Sequence, residues 1–159
     1  MENPVIGSRE WRIFQVDPSD SSALEDVRRI EADAFGENGL PADNISLMTV
    51  PGWIYLLREG ETATAEAILF GNLGDPGAFL FSLAVARDFR GEGRGSFLLD
   101  FILDRLKSRG VPYLDLTVNP RNRNAVHLYR ERFGFQRIGE IRSPDHPDRS
   151  RLVLRKTIS

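Results

Sequence analysis

The stretch from Phe79 to Val118 restricts the fold more than any other part of this chain. Phe79 to Ala86 reads FLFSLAVA, a nearly continuous apolar run that suits a strand buried on both faces. Arg87 to Gly95 is polar and glycine-rich. Ser96 to Arg109 then carries Leu98, Ile102 and Leu106 in helical register, with Phe97, Phe101 and Leu103 widening the stripe. Gly110 closes that helix, and Tyr113 to Val118 is again strand-like. Strand, helix and strand in that order form a parallel βαβ unit. The chain is therefore predicted to be α/β.

The flanks add antiparallel elements. Trp11 to Val16 reads as a first strand. Asp20, Ser21 and Ser22 offer caps for a helix with Leu24, Val27, Ile30 and Ala34 on one side, ended by Gly36, Gly39 and Pro41. Residues 42–50 suit a second short helix, stopped by Pro51-Gly52. Trp53 to Arg58 and Thr62 to Phe70 are two strands joined by a Glu59-Gly60-Glu61 turn. Asn122 is placed to cap a helix running to about Arg132, and Gly134 ends it. Phe135 to Arg142 and Arg151 to Ile158 read as a final hairpin. The expectation is one domain, 1–159, whose mixed and mostly antiparallel sheet has about seven strands, with a central parallel βαβ unit and about four helices.

Charge narrows the partners. The 21 basic and 23 acidic residues nearly cancel, but they are not evenly spread. Up to Ala86 there are 5 basic and 14 acidic side chains, and from Arg87 onward 16 and 9. That split suits an anionic ligand on one side and a cationic one on the other. A general nucleic-acid binder is disfavoured, because the whole chain is slightly acidic and has no run of four basic residues. With 0 cysteines, a disulfide, a thiolate metal site and a cysteine nucleophile are all excluded. Met1 to Arg12 lacks the cationic start and apolar stretch of a signal peptide. No apolar run reaches the roughly 20 residues of a membrane span. A cytoplasmic protein with no membrane partner is the default expectation. The edge strands and final hairpin permit a homodimer.

The loop Arg90-Gly91-Glu92-Gly93-Arg94-Gly95 falls where a buried strand hands over to an amphipathic helix. Its glycines allow a tight turn and bring bare N–H groups close to a ligand. Helix N-terminal amides present partial positive charge to phosphate oxygens. A Walker loop is excluded, since no Gly-Lys-Ser/Thr ends the run. The dinucleotide fingerprint fails because Ser96 stands where its last glycine is needed. The competing reading is a flexible turn with glycine as punctuation.

Specificity comes from a second segment, Val118-Asn119-Pro120-Arg121-Asn122-Arg123-Asn124-Ala125-Val126-His127-Leu128-Tyr129, followed by Phe133-Gly134-Phe135. Together with Arg90-x-x-Gly93-x-Gly95, it resembles the GNAT superfamily of acetyl-coenzyme A-dependent N-acetyltransferases. The resemblance is strong between Phe79 and Phe135 and topological outside that stretch, from about Trp11 to Lys156. It implies a single GNAT-like domain with a V-shaped splay between the fourth strand, Phe79 to Ala86, and the fifth, Tyr113 to Val118.

The resemblance also implies direct transfer of an acetyl group from acetyl-CoA, as acyl donor, to a primary amine, with no metal. Backbone amides of Arg90, Gly91, Glu92, Gly93, Arg94 and Gly95, with Ser96 at the helix start, would hold the pyrophosphate. Arg87, Arg90, Arg94, Arg121 and Arg123 are the cations near enough in sequence to approach phosphate. Unpaired backbone on the splayed strand would receive pantetheine, and the amide near Leu83, Ala84 and Val85 would polarise the thioester carbonyl. Asn122 would contact the cofactor or cap its helix. Tyr129 is the candidate general acid, since a phenol with pKa about 10 can protonate a leaving thiolate with pKa roughly 8.5. Its competing reading is a core tyrosine.

The base is less evident, because Phe79 to Leu83 holds no titratable side chain. Glu66, inside the apolar run Ala65-Glu66-Ala67-Ile68, is the leading candidate; the alternative places it on the outward side of an alternating strand. Asp115 is a weaker candidate. His127 reads as a solvated helix position, and His146, in the loop Pro144 to Ser150, could touch substrate or be simply loop. Glu37, Asp43, Asp145 and Asp148, in the loops expected around the amine, could attract a cationic acceptor. A non-catalytic acyl-CoA-binding regulatory module is the alternative function.

Overall fold

The structure is a computed structural model, and it describes residues 3–4, 10–36, 39–40, 44–45, 52–71 and 75–159. Backbone contacts group the chain into two units. One is Met1–Phe70 with Ser82–Ile102, and the other is Gly71–Phe81 with Leu103–Ser159.

The first unit begins with a two-residue strand, β1 (Asn3–Pro4), beside β2 (Trp11–Gln15). Helix α1 (Ser21–Phe35) follows, then β3 (Gly52–Glu59) and β4 (Thr62–Gly71). The strands β2, β3 and β4 form an antiparallel meander, with Trp11 opposite Glu59 and Glu59 opposite Thr62 across the turn at Gly60. The Asp20 carboxylate accepts from the Ala23 amide at 3.0 Å and so starts α1. Val27 and Ile30 are fully buried and pack with Ile54 and Leu56 of β3 and Ile68 of β4. Removing each such side chain from water contributes about 2 kcal/mol.

Strand β5 (Ala78–Val85) belongs to this unit from Ser82 onward, and α2 (Arg94–Ser108) belongs to it up to Ile102. On α2, Phe97 meets Trp11 and Phe101 meets Tyr55, each edge-on with centroids 5.4 Å apart. Tyr55 points opposite to Ile54 and Leu56 because side chains alternate along a strand. Helices α1 and α2 therefore cover opposite faces of the meander.

In the second unit β5 runs parallel to β6 (Tyr113–Val118), with Ala78 opposite Leu114 and Leu80 opposite Leu116. That register covers three residues of an eight-residue strand, so β5 leaves the ladder after Leu80. Counting Asn3–Pro4 as β1, the predicted fourth and fifth strands are β5 and β6, and their splay is present. Helix α3 (Arg123–His127) is capped by Asn122, whose side chain accepts from the Ala125 amide at 3.2 Å. Strands β7 (Gln136–Ile141) and β8 (Arg151–Thr157) form the final antiparallel pair. Strand β8 also pairs with β6 from Tyr113–Thr157 to Val118–Leu152. The order across the mixed sheet is β1-β2-β3-β4-β5-β6-β8-β7. We expect Asn122→Ala to cost about 1 kcal/mol of stability through loss of that cap, measured by denaturant titration.

Several expectations need correction. About four helices were expected, and the described residues show three α-helices of five residues or more. The helix expected at 42–50 lies outside the described residues apart from Asn44 and Ile45, which are helical. The third helix does not stay α to Arg132. Leu128–Arg132 forms a π turn, with the Phe133 amide bonded to Leu128 O at 3.1 Å. Strand β5 is not buried on both faces. Ala78, Leu80, Ser82 and Ala84 are buried, while Phe79, Leu83 and Val85 are half-buried and Phe81 is 44% exposed. A continuous apolar run cannot by itself separate a core face from a face kept for a ligand. Strand β4, by contrast, is buried on both faces from Ala63 to Leu69, so Glu66 is not on an outward side. Among the described residues no helix is long and apolar enough to cross a membrane.

Candidate active site

The glycine-rich loop is built by its two ends. Val85 ends β5, and its carbonyl accepts from Arg90 Nε at 3.0 Å. The Asp33 carboxylate of α1 accepts from the Arg87 amide, holding the short 3-10 turn Arg87–Phe89. Gly91 has φ +78° and Gly93 has φ +90°, a left-handed region that costs other residues about 1–2 kcal/mol. A Cβ at either position would meet nothing within 4 Å. The constraint is thus on the backbone turn rather than on space. The Phe97 amide bonds back to Gly93 O at 2.9 Å, so the amides just before it have no acceptor inside the helix. Those amides, at the positive end of a 15-residue helix, form a site for anionic oxygens.

Arg94 does something its sequence position does not announce. Its guanidinium is 4% exposed and donates to Glu59 through Nε at 2.9 Å and Nη2 at 2.6 Å. Nη1 donates to Phe89 O at 2.8 Å. The cation stands 5.1 Å from the Trp11 ring and 5.0 Å from the Phe89 ring. Its side chain is therefore a brace between the loop and the end of β3, and only its backbone amide remains for an anion.

Glu66 belongs to a buried polar cluster that was not foreseen. Its side chain is 0% exposed, and its Oε1 accepts from Ser82 Oγ at 2.8 Å. The same Ser82 hydroxyl is hydrogen-bonded to Glu31 Oε1, while Glu31 Oε2 accepts from the Leu40 amide at 3.5 Å. Glu66 Oε2 is buried without a hydrogen-bond partner. Burial is the main reason that Glu66 titrates well above the usual carboxylate range. The neighbouring Glu31 carboxyl adds to the rise, and the Ser82 hydrogen bond opposes it. Glu31 did leave a trace in the sequence. With Val27 and Ile30 it completes an i, i+3, i+4 face, where a carboxylate is out of place.

This rise has a testable sign. Glu66 binds its proton more tightly folded than unfolded, where its pKa is near 4.5. Its contribution to stability is thus full below about pH 4.5 and is lost as pH rises through the folded-state titration. Glu66→Gln removes that loss. Thermal unfolding between about pH 5 and pH 9 should show the variant gaining on the parent chain as pH rises.

In the second unit, Tyr129 is buried in the π turn, and its ring meets Phe135 edge-on at 5.5 Å. The Phe135 amide bonds to Tyr129 O at 2.9 Å, fixing the exit from the turn. Single π turns inside helices recur at functional sites. Asn122 is occupied as a cap, and its side chain is otherwise exposed. Asp115 is held by Arg155 through two bonds of 2.7 and 2.9 Å. Both of its oxygens are thus engaged in that ion pair. His127 and His146 are exposed. Among the described residues no group of three or more metal-binding side chains gathers.

Residues 24–135 match the model of the acetyltransferase (GNAT) family. Ribosomal protein bS18-alanine N-acetyltransferase of Salmonella typhimurium is 45% identical over 58 residues, which are 36% of this chain and 38% of that protein. The matched stretch is thus well short of two thirds of that relative. The crystal structure of the ribosomal-protein-S18-alanine N-acetyltransferase from Escherichia coli superposes with a TM-score of 0.81 at 25% identity, covering 94% of both chains. A GNAT family acetyltransferase from Elizabethkingia anophelis, crystallised with acetyl-CoA bound, has a TM-score of 0.74 at 15% identity. It covers 92% of this chain and 97% of its own, a likeness of fold.

Proposed function

Because the chain belongs to the acetyltransferase (GNAT) family, we propose that it moves an acetyl group from acetyl-CoA directly to a primary amine. The observation that carries this is the loop from Arg90 to Ser96, where two left-handed glycines lead into the N-terminus of α2, whose first amides lack acceptors inside the helix. Amides of Arg90 to Ser96 hold the pyrophosphate. The Leu83–Val85 stretch of β5, beyond the ladder to β6, pairs with pantetheine and polarises the thioester carbonyl. Glu66 receives one proton from the acceptor ammonium. The amine lone pair then forms the C–N bond as the C–S bond breaks. Tyr129 gives its proton to the departing sulfur, and the second proton of the attacking nitrogen restores the phenol.

The acceptor class follows from β5. Its outward side chains, Phe79, Phe81, Leu83 and Val85, are all apolar, and Glu66 is fully buried. A single buried carboxyl is then the one group proposed to take a proton, so an amine that loses its proton readily is favoured. An α-amino group, with pKa about 7.7–8.0, is already neutral in roughly a tenth of molecules at pH 7. A lysine side chain, with pKa about 10.4, is neutral in only about one in 2,500. A protein or peptide N-terminus is therefore the favoured acceptor, the same group that the relative's name specifies. Comparing peptides with one free α-amine or one free ε-amine tests this. The α-amine peptide should win by about 100-fold or more in kcat/KM near pH 7, and equal rates would remove the preference. The same apolar strand favours the second reading, a regulatory module that binds acyl-CoA without turnover. Binding without acetylation of any amine would establish it.

A further inference from the structure

We infer that Glu31 and Glu66 hold one proton between them through the Ser82 hydroxyl, and that this couple is what accepts the proton of the acceptor amine. The second half rests on the reading of Glu66 as the base, whereas the first half stands without it.

The reasoning is a count of hydrogens. Ser82 Oγ lies 2.8 Å from Glu66 Oε1 and is also hydrogen-bonded to Glu31 Oε1. A hydroxyl has one hydrogen and donates to one acceptor, while an ionised carboxylate only accepts. Two ionised carboxylates would leave one contact as bare oxygen against oxygen, beside two like charges. Both contacts become hydrogen bonds when one carboxyl keeps its proton and donates to Oγ as Oγ donates to the other. The couple then carries one negative charge and one proton.

Among the described residues, none that bears on Glu66 carries a positive charge. The groups that bear on Glu66 are Glu31 from α1 and Ser82 from β5, and its partner across β3 is Leu56. Glu31 and Glu66 are 2% and 0% exposed. Keeping both ionised in such a core is costly, and sharing a proton is how close buried carboxylates avoid it. Glu66 Oε2, buried and unpartnered, is the oxygen left to accept the next proton. An ammonium that loses its proton there leaves the couple neutral and itself able to attack. Ser82 is the least buried of the three, at 7% exposure. It therefore ties Glu31, 51 residues away in sequence, to the strand proposed to hold the thioester. Glu31 is on this view a positioning residue, acting through Ser82 on Glu66.

Two readouts test the halves separately. Infrared difference spectra of the free protein should retain a protonated-carboxyl band at pH 7, and that band should change frequency in Glu31→Gln, where Glu66 no longer shares its proton. Absence of that band in the parent chain would overturn the shared proton. The pH profile of kcat/KM with an N-terminal peptide amine should, in Glu31→Gln, shift its acidic limb upward by one pH unit or more, because a lone Glu66 lacks the partner acid that stabilises the couple's single negative charge. A purely structural Glu31 would change the height of the profile and not its midpoint. A band that behaves as expected with superimposable profiles would keep the shared proton and remove the base role. Should Glu31→Gln fail to fold, Ser82→Ala breaks the same bridge and is read by the same two measurements.

Discussion

Replacing Tyr129 with phenylalanine should lower kcat by about 100-fold or more, the usual contribution of a general acid, while coenzyme A affinity stays within about twofold. The two halves of that expectation come from different parts of the residue. The phenol supplies the proton, and no large shift is needed for a group with pKa about 10 to protonate a thiolate with pKa roughly 8.5. The ring supplies packing. Its edge-on contact with Phe135 at 5.5 Å and the Phe135–Tyr129 backbone bond are kept by phenylalanine. The π turn should therefore survive, and the loss should fall on the chemical step alone. An unchanged kcat would return Tyr129 to the role of a core aromatic. Equal losses in affinity and turnover would point to collapse of the turn.

Arg94→Leu should have the largest effect on stability, and it should also loosen the cofactor loop. The guanidinium makes two bonds to Glu59, one to Phe89 O, and contacts with two aromatic rings. Removing one partner of a buried ion pair costs about 3–5 kcal/mol. The Glu59 side chain is 24% exposed, so the low end applies, about 3 kcal/mol, or a fall in Tm of about 6–12 °C. Loss of the brace also returns the loop to many conformations. Ordering it on binding should then weaken coenzyme A by about tenfold, equivalent to 1.4 kcal/mol. Lysine should not rescue, because a point charge cannot reproduce the bidentate contact with Glu59. If Arg94 touched phosphate instead, Glu59→Gln would leave coenzyme A affinity intact. On the bracing account that variant weakens it as well.

The difference between what was readable in the sequence and what was not has a common physical cause. The strands and helix of the parallel unit, the Asn122 cap, the Asp20 cap and the tight glycine turn were legible because each is signalled by residues close together in sequence. The splay was read from the family resemblance, and the short β5–β6 register is its counterpart in the structure. Arg94 reads as a phosphate cation only while its partner, 35 residues away, is unknown. Ser82 is unremarkable until β5 is laid beside β4 and α1, which brings two carboxylates to one hydroxyl. The apolar run Phe79 to Ala86 gave the strand but not which side faces the core. Leu128 to Arg132 carries no local sign of a π turn, because its residues suit an α-helix equally well. The charge asymmetry is likewise only partly a signature of an anionic ligand. Arg94, Arg137 and Arg155 are engaged by Glu59, Glu140 and Asp115.

The central claim is acetyl transfer from a thioester to an amine, and product stoichiometry tests it most directly. The purified chain, acetyl-CoA and a peptide with a free N-terminal amine would be followed by thiol release and by the mass of the peptide. One acetyl group should appear on the α-amine for each thiol released, at a rate that vanishes without the chain. Tight binding of acetyl-CoA with neither thiol nor acetyl-peptide formed, across peptide and small-amine acceptors alike, would contradict it.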